Sequence, residues 1–194
     1  MKNEQENSPS GAIKYGDRGF RVYINKLKEE HKDVAGIINS PEVHLEIIKK
    51  ISLDISMLPR KGADAHSNFR SFIQNFDHSI ALWSKFSDDG LTLDKEKIIA
   101  DPLIKETAYT HAYRIILNSQ ELDLASILGN FLKELKERHI IEGDEFIHDQ
   151  AIQEKVRESF EKFANAQPGA NLKSIAQEWM KLGFDRKLFS KVLS

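Results

Sequence analysis

Residues 119–143, SQELDLASILGNFLKELKERHIIEG, carry the clearest helical pattern in the chain. Leu124, Leu128, Phe131 and Leu135 recur at spacings of four, three and four, and Ala125, Ile127 and Leu132 widen the stripe. Lys133, Glu134, Lys136 and Glu137 fall on the opposite side, so the pattern predicts a helix with one buried face and one wet face. Asn118 or Ser119 suits the N-cap, and Asp123 suits the positive end of the helix dipole. Lys136, Arg138 and His139 suit the carbonyl end, with Gly143 as the expected stop. Gly129 interrupts the pattern. Inside a helix it costs about 1 kcal/mol relative to Ala, and the expected compensation is a second helix crossing closely over it. A helix with so wide an apolar stripe needs neighbours.

Upstream, Phe20, Ile24, Leu27, His31, Val34 and Ile38 keep helical spacing from Asp17 to Asn39. Ser40-Pro41 closes that helix and opens the next as N-cap and first helical residue, with Ile47, Ile51, Ile55 and Leu58 on its stripe before Pro59. Gly62 precedes a long third helix, predicted to reach about Phe86, its stripe formed by Phe69, Phe72, Ile73, Phe76, Ile80 and Trp83. Ser87-Asp88-Asp89-Gly90 breaks it. A short helix over Asp94 to Ala100 leads to Asp101-Pro102, the same cap-and-proline punctuation, and then to a helix reaching Leu117 with Ile104, Ala108, His111 and Ile115 in line. Downstream, Ile152, Val156, Phe160 and Phe163 mark a helix that Gln167-Pro168-Gly169 terminates. Leu172 to Leu182 and Arg186 to Leu193 follow, joined at Gly183-Phe184-Asp185. No stretch alternates with period two long enough to make a strand. The expected fold is all-α, an irregular bundle of roughly seven to nine helices. Residues 1–16 lack a periodic apolar set and read as a flexible leader, 17–167 as the bundle core, and 168–194 as a helical hairpin packed on it.

The charge balance narrows the function. The 194 residues include 28 basic and 30 acidic ones, a net charge of −2. The pI of about 6.4 lies well below the range above roughly 9 typical of a dedicated nucleic-acid domain. With no cysteine, disulfides, thiol nucleophiles and Cys-ligated metals are excluded. No apolar run approaches the ~20 residues a membrane span requires, and the N-terminus has no classical signal peptide. The expectation is a soluble, cytoplasmic protein, with non-classical export left open.

Seven histidines invite a metal or acid–base reading. His31, His44 and His111 fall on or beside apolar lines, where a core or edge role is commoner and a pH-sensitive packing joint is the functional alternative. His66, His78, His139 and His148 sit near helix ends or on polar faces. Glu145-Phe-Ile-His148 has Glu-x-x-His spacing, but a di-metal bundle needs a second copy that the chain lacks. Lys85 to Glu96, KFSDDGLTLDKE, has the length of a calcium loop with Gly at its sixth place and Glu at its twelfth, yet Lys85 stands where the first carboxylate belongs. It reads as an acidic connection in which Asp94 caps the next helix. The phosphate-loop, dinucleotide, serine-hydrolase and zincin signatures are absent. No catalytic, cofactor-binding or metal-ligating residue is nominated, and the reading leans away from an enzyme.

The C-terminal LKSIAQEWMKLGFDRKLFSKVL has a helix-turn-helix outline, with Leu182-Gly183 at the turn and Asp185 as cap. Five basic and two acidic residues lie between Leu172 and Ser194. Three readings result. The first is a non-catalytic, adaptor- or effector-like module that binds another protein through a helix groove or through Trp179, Met180, Phe184 and Phe189 of the hairpin. The second is a DNA-binding regulator using Arg186, Lys187 and Lys191, disfavoured by the overall charge and by Trp179 at a position that normally needs a small residue. The third is a ligand-binding or enzymatic bundle with polar groups around His111 and Tyr113. Oligomeric state is not legible, because a stripe packed within a chain and one packed between chains look alike.

Overall fold

The computed structural model describes residues 8–57, 64–142 and 145–193. Helices and their connections make up these residues, with no strand among them, so the chain is all-α. In chain order the helices are α1 Pro9–Lys14, α2 Gly16–Glu29, α3 Val34–Ile38, α4 Pro41–Ile55, α5 Ala65–Ser84 and α6 Lys95–Ala100. They continue with α7 Pro102–Asn118, α8 Glu121–Glu137, α9 Glu145–His148, α10 Gln150–Ala166, α11 Leu172–Lys181 and α12 Ser190–Leu193. Two 3-10 turns, Lys85–Asp89 and Arg186–Phe189, precede Gly90 and α12. The expected seven to nine helices are too few because the short pieces α1 and α9 carry no stripe long enough to be read, and because α3 continues the apolar spacing of α2 and reads as its end. The predicted positions of Gly143, Pro59 and Gly62 lie outside the described residues.

Contacts divide the chain into two units, Met1–Met57 with Gln74–Ala108, and Leu58–Ile73 with Tyr109–Ser194. Helices α5 and α7 each contribute one end to each unit. In the first unit, Phe20, Trp83 and Phe86 form a fully buried aromatic cluster with ring centroids 5.1–5.7 Å apart. Trp83 Nε1 is buried there without a hydrogen-bond partner. Helix α1 falls within the expected flexible leader, which is therefore corrected over residues 9–14. Ser8 accepts from the Gly11 N–H, Pro9 takes the first helical position, and Ala12 and Ile13 are buried. Gly19 makes the tight α1–α2 junction possible: a Cβ there would meet Ala12 O at 2.5 Å and Tyr15 Cβ at 2.7 Å.

The predicted helix from Asp17 to Asn39 is two helices. His31 is exposed with φ +53°, its N–H bonds to Lys28 O, and the Lys32 N–H bonds to Leu27 O. That is a Schellman termination. Asp33 then caps α3 by accepting from the Gly36 N–H at 3.0 Å. His31 is thus a helix-ending residue and not part of an apolar line. The predicted start of α4 holds: Ser40 accepts from the Val43 N–H and Pro41 opens the helix.

In the second unit, α8 buries Leu124, Leu128, Phe131, Leu132 and Leu135 as the sequence pattern predicts, and it packs most extensively on α10. Its ends differ from expectation. Gln120 is the N-cap residue without a side-chain cap bond, while the Ser119 hydroxyl donates back to Ile116 O. At the other end His139 takes φ +55°, its N–H bonds to Lys136 O, and the Ile140 N–H bonds to Leu135 O. The buried pair Ile140 and Ile141 pulls the chain inward there, which ends the helix before Gly143. A non-glycine residue in the left-handed region is strained. His139→Gly is accordingly expected to raise stability by about 0.5–1 kcal/mol in urea melts, and His139→Val to lower it.

Candidate functional site

A cleft of about 540 Å³ opens among α8, α10 and α11 in the second unit. Ala125 and Gly129 from α8, Phe163 from α10, and Ile175, Trp179 and Leu182 from the α11 segment form its apolar lining. Asn130, Lys133, Glu178 and Lys181 supply the polar part of the wall. The volume falls within the roughly 300–1,000 Å³ of binding pockets. Gly129 does not sit beneath a tight helix crossing, as the sequence suggested. A Cβ at this position would have Leu182 Cδ1 as its nearest neighbour, at 4.0 Å, so a methyl group fits without displacement. Gly19 is required by packing and Gly129 is not.

The hairpin residues expected to touch a partner divide into two groups. Trp179, Phe184 and Phe189 are buried, at 2%, 3% and 0% exposure. The rings of Phe160 and Trp179 lie 5.7 Å apart, those of Phe160 and Phe189 4.9 Å, and those of Trp179 and Phe184 6.4 Å. These three aromatics close the unit's core, which corrects their assignment as a free partner surface; only Trp179 also borders the cleft. Met180 is half-buried.

The hairpin turn forms where the sequence places it. Gly183 has φ +109°, the Phe184 N–H bonds to Trp179 O, and Asp185 accepts from the Lys187 N–H at 2.8 Å. Beyond the turn the chain forms a 3-10 turn and the single-turn helix α12. Recognition helices that enter a DNA groove present several base-contacting residues along a longer helix, and this geometry lends that reading little. Arg186, Lys187 and Lys191 are exposed, and Lys191 Nζ lies 3.5 Å from Glu161.

His111 and Tyr113, the centre of the third reading, are engaged in packing and capping. His111 is 5% exposed and stacks on Phe72 at 5.2 Å. The Tyr113 hydroxyl donates to Asp149 at 3.1 Å, and Asp149 also accepts the Ala151 and Ile152 N–H groups at the start of α10. Burial, with a smaller contribution from Arg114, holds the His111 imidazole below its ordinary pKa. The folded state therefore resists protonation. The neutral ring's contribution is intact above the unfolded pKa of about 6.5 and is lost progressively as pH falls below it, until the folded value is passed. Between pH 7.5 and 5.5, the wild type is expected to lose more stability than His111→Phe, which keeps an aromatic ring against Phe72 without a titrating group; paired urea melts measure the difference.

The acidic connection over Lys85 to Glu96 spends its carboxylates separately. Asp89 accepts Lys28 at 2.8 Å and Arg21 at 3.4 Å, while Asp94 caps α6 by accepting from the Lys97 N–H at 2.9 Å. Among the described residues no three His, Asp or Glu side chains gather as a metal site, and no helix is long and apolar enough to cross a membrane.

The chain matches no protein family, no curated protein and no solved structure.

Proposed function

We propose that this chain is a non-catalytic protein-interaction module, adaptor- or effector-like, that receives a partner's apolar segment in the cleft among α8, α10 and α11. Gly129 carries this reading. Glycine inside an exposed helical turn weakens it by about 1 kcal/mol relative to Ala. Here no left-handed backbone angle and no close helix crossing accounts for the choice, since a Cβ meets nothing nearer than 4.0 Å. Its effect is to deepen the cleft wall formed by α8. A local stability cost that widens a binding surface is the expected signature of function held against stability.

Two substitutions test this. Gly129→Ala is expected to stabilise the protein by about 0.5–1 kcal/mol, and Gly129→Met, whose side chain occupies the cleft, to abolish partner capture while the fold stays intact. A photo-crosslinking residue placed at exposed Asn130 in the full-length chain reports the contact in cell extract. Loss of the same cross-linked protein in Gly129→Met supports the cleft as the site. Adducts indifferent to that substitution, or none at all, would remove the reading.

A further inference from the structure

We infer that the occupant of the cleft is an acidic amphipathic α-helix of a partner protein, anchored by a bulky apolar side chain over Gly129. This rests on the reading of the cleft as the interaction site. The shape of the site selects a helix. Its walls are helices whose backbone groups bond within themselves, so it offers no sheet edge on which an extended peptide could add a strand. The aromatic side chains of the lining, Trp179 and Phe163, are 2% and 8% exposed, and so do not provide the exposed aromatic clamp that polyproline ligands use. A ligand entering a mostly apolar cleft must satisfy its own backbone polar groups, and a helix does so internally.

Charge selects the sign. Of the three charged residues in the wall, Lys133 and Lys181 are basic and Glu178 is acidic. Lys133 is well exposed, and its contact with Glu137 is a loose 3.8 Å; Lys181 is exposed as well. Carboxylates flanking the apolar stripe of a partner helix meet lysines at the rim, where they set orientation and association rate and weaken with salt.

The test is selection from a displayed library of helix-forming peptides of about 18 residues, five turns, randomised on both faces and panned on the full-length protein. Selected peptides are then synthesised and titrated by fluorescence anisotropy. The expected winners carry apolar residues at i, i+3 or i+4, and i+7 with an excess of Asp and Glu. They bind about tenfold or more weakly to Gly129→Met and to the paired reversal Lys133→Glu with Lys181→Glu, and binding by the wild type falls as salt is raised. Neutral or basic winners that still depend on Gly129, and ignore the lysine reversal, would overturn the acidic assignment while leaving the cleft as the interaction site. No enrichment, or winners indifferent to Gly129→Met, would overturn both. Each substitution lies on an exposed position or in open space, and circular dichroism checks that helix content is retained.

Discussion

Trp179→Ala is expected to destabilise the second unit by about 3–5 kcal/mol, the range for truncating a fully buried large aromatic. The residue is 2% exposed, with the rings of Phe160 and Phe189 each 5.7 Å from its own. Removing the indole leaves a void that these neighbours, tied to helix α10 and the final 3-10 turn, cannot fully close, so lost transfer energy and a residual cavity add. Trp179→Phe retains most of the apolar area and is expected to cost less than half as much. The measurement is urea unfolding followed by circular dichroism at 222 nm, with hydrogen exchange of α8 and α10 amides assigning the loss to this unit. If Trp179 served mainly as an external partner contact, the Ala variant would lose binding while its stability stayed within about 0.5 kcal/mol. The burial predicts the opposite order: the fold weakens first.

Trp179 also shows where sequence pattern stops being informative. A stripe of apolar residues on a terminal hairpin has the same spacing whether it faces the protein's own core or a partner, and only the position of Phe160 and Phe189 decides between them. The interior of α8 was legible because Leu124, Leu128, Phe131 and Leu135 repeat with the helical period over several turns. Helix starts marked by Ser40-Pro41, Asp94, Asp101-Pro102 and Asp185 were legible because their side chains bond the first free N–H groups of the next element. The ends at His31 and His139 were not. Each looks like one more residue of the helix, and the left-handed turn is closed by backbone bonds that leave no signature in the sequence; at His139 the burial of Ile140 and Ile141 adds to it. The cleft was half legible. Gly129 stood out as an anomaly, but whether a glycine in a helix admits another helix or leaves open space depends on where Leu182 comes to rest. Helix α1 was missed because Ala12 and Ile13 are too few to form a stripe.

Asn39→Ala is expected to cost about 2 kcal/mol, unusually much for a half-exposed residue. Its Oδ1 accepts the Thr92 N–H at 2.6 Å and the Thr92 hydroxyl at 2.8 Å, with His44 Nε2 at 3.3 Å. Its Nδ2 donates to Ala35 O at 2.9 Å and Gly90 O at 2.8 Å. One amide therefore joins the end of α3 to the connection that follows Gly90, using both its donors and its acceptor. Each such bond contributes about 0.5–1.5 kcal/mol when shielded and less when wet, and loss of the amide leaves the Thr92 N–H and the Gly90 carbonyl to find water. Asn39→Asp separates the two halves of the clasp: a carboxylate keeps the acceptor contacts but cannot donate to Ala35 O or Gly90 O, and it sets negative charge against two carbonyls. It is expected to lie between wild type and Ala. Native-state hydrogen exchange gives the local reading, since 2 kcal/mol corresponds to about a 30-fold faster exchange of the Thr92 amide if that bond controls opening. Unchanged exchange at Thr92 alongside a change in global stability of less than about 0.5 kcal/mol would mean that the connection is held by the burial of Leu91 and Leu93 and not by the clasp. A fast Thr92 amide in a chain whose α8 amides are unaffected would locate the effect in the first unit, where every partner of Asn39 resides.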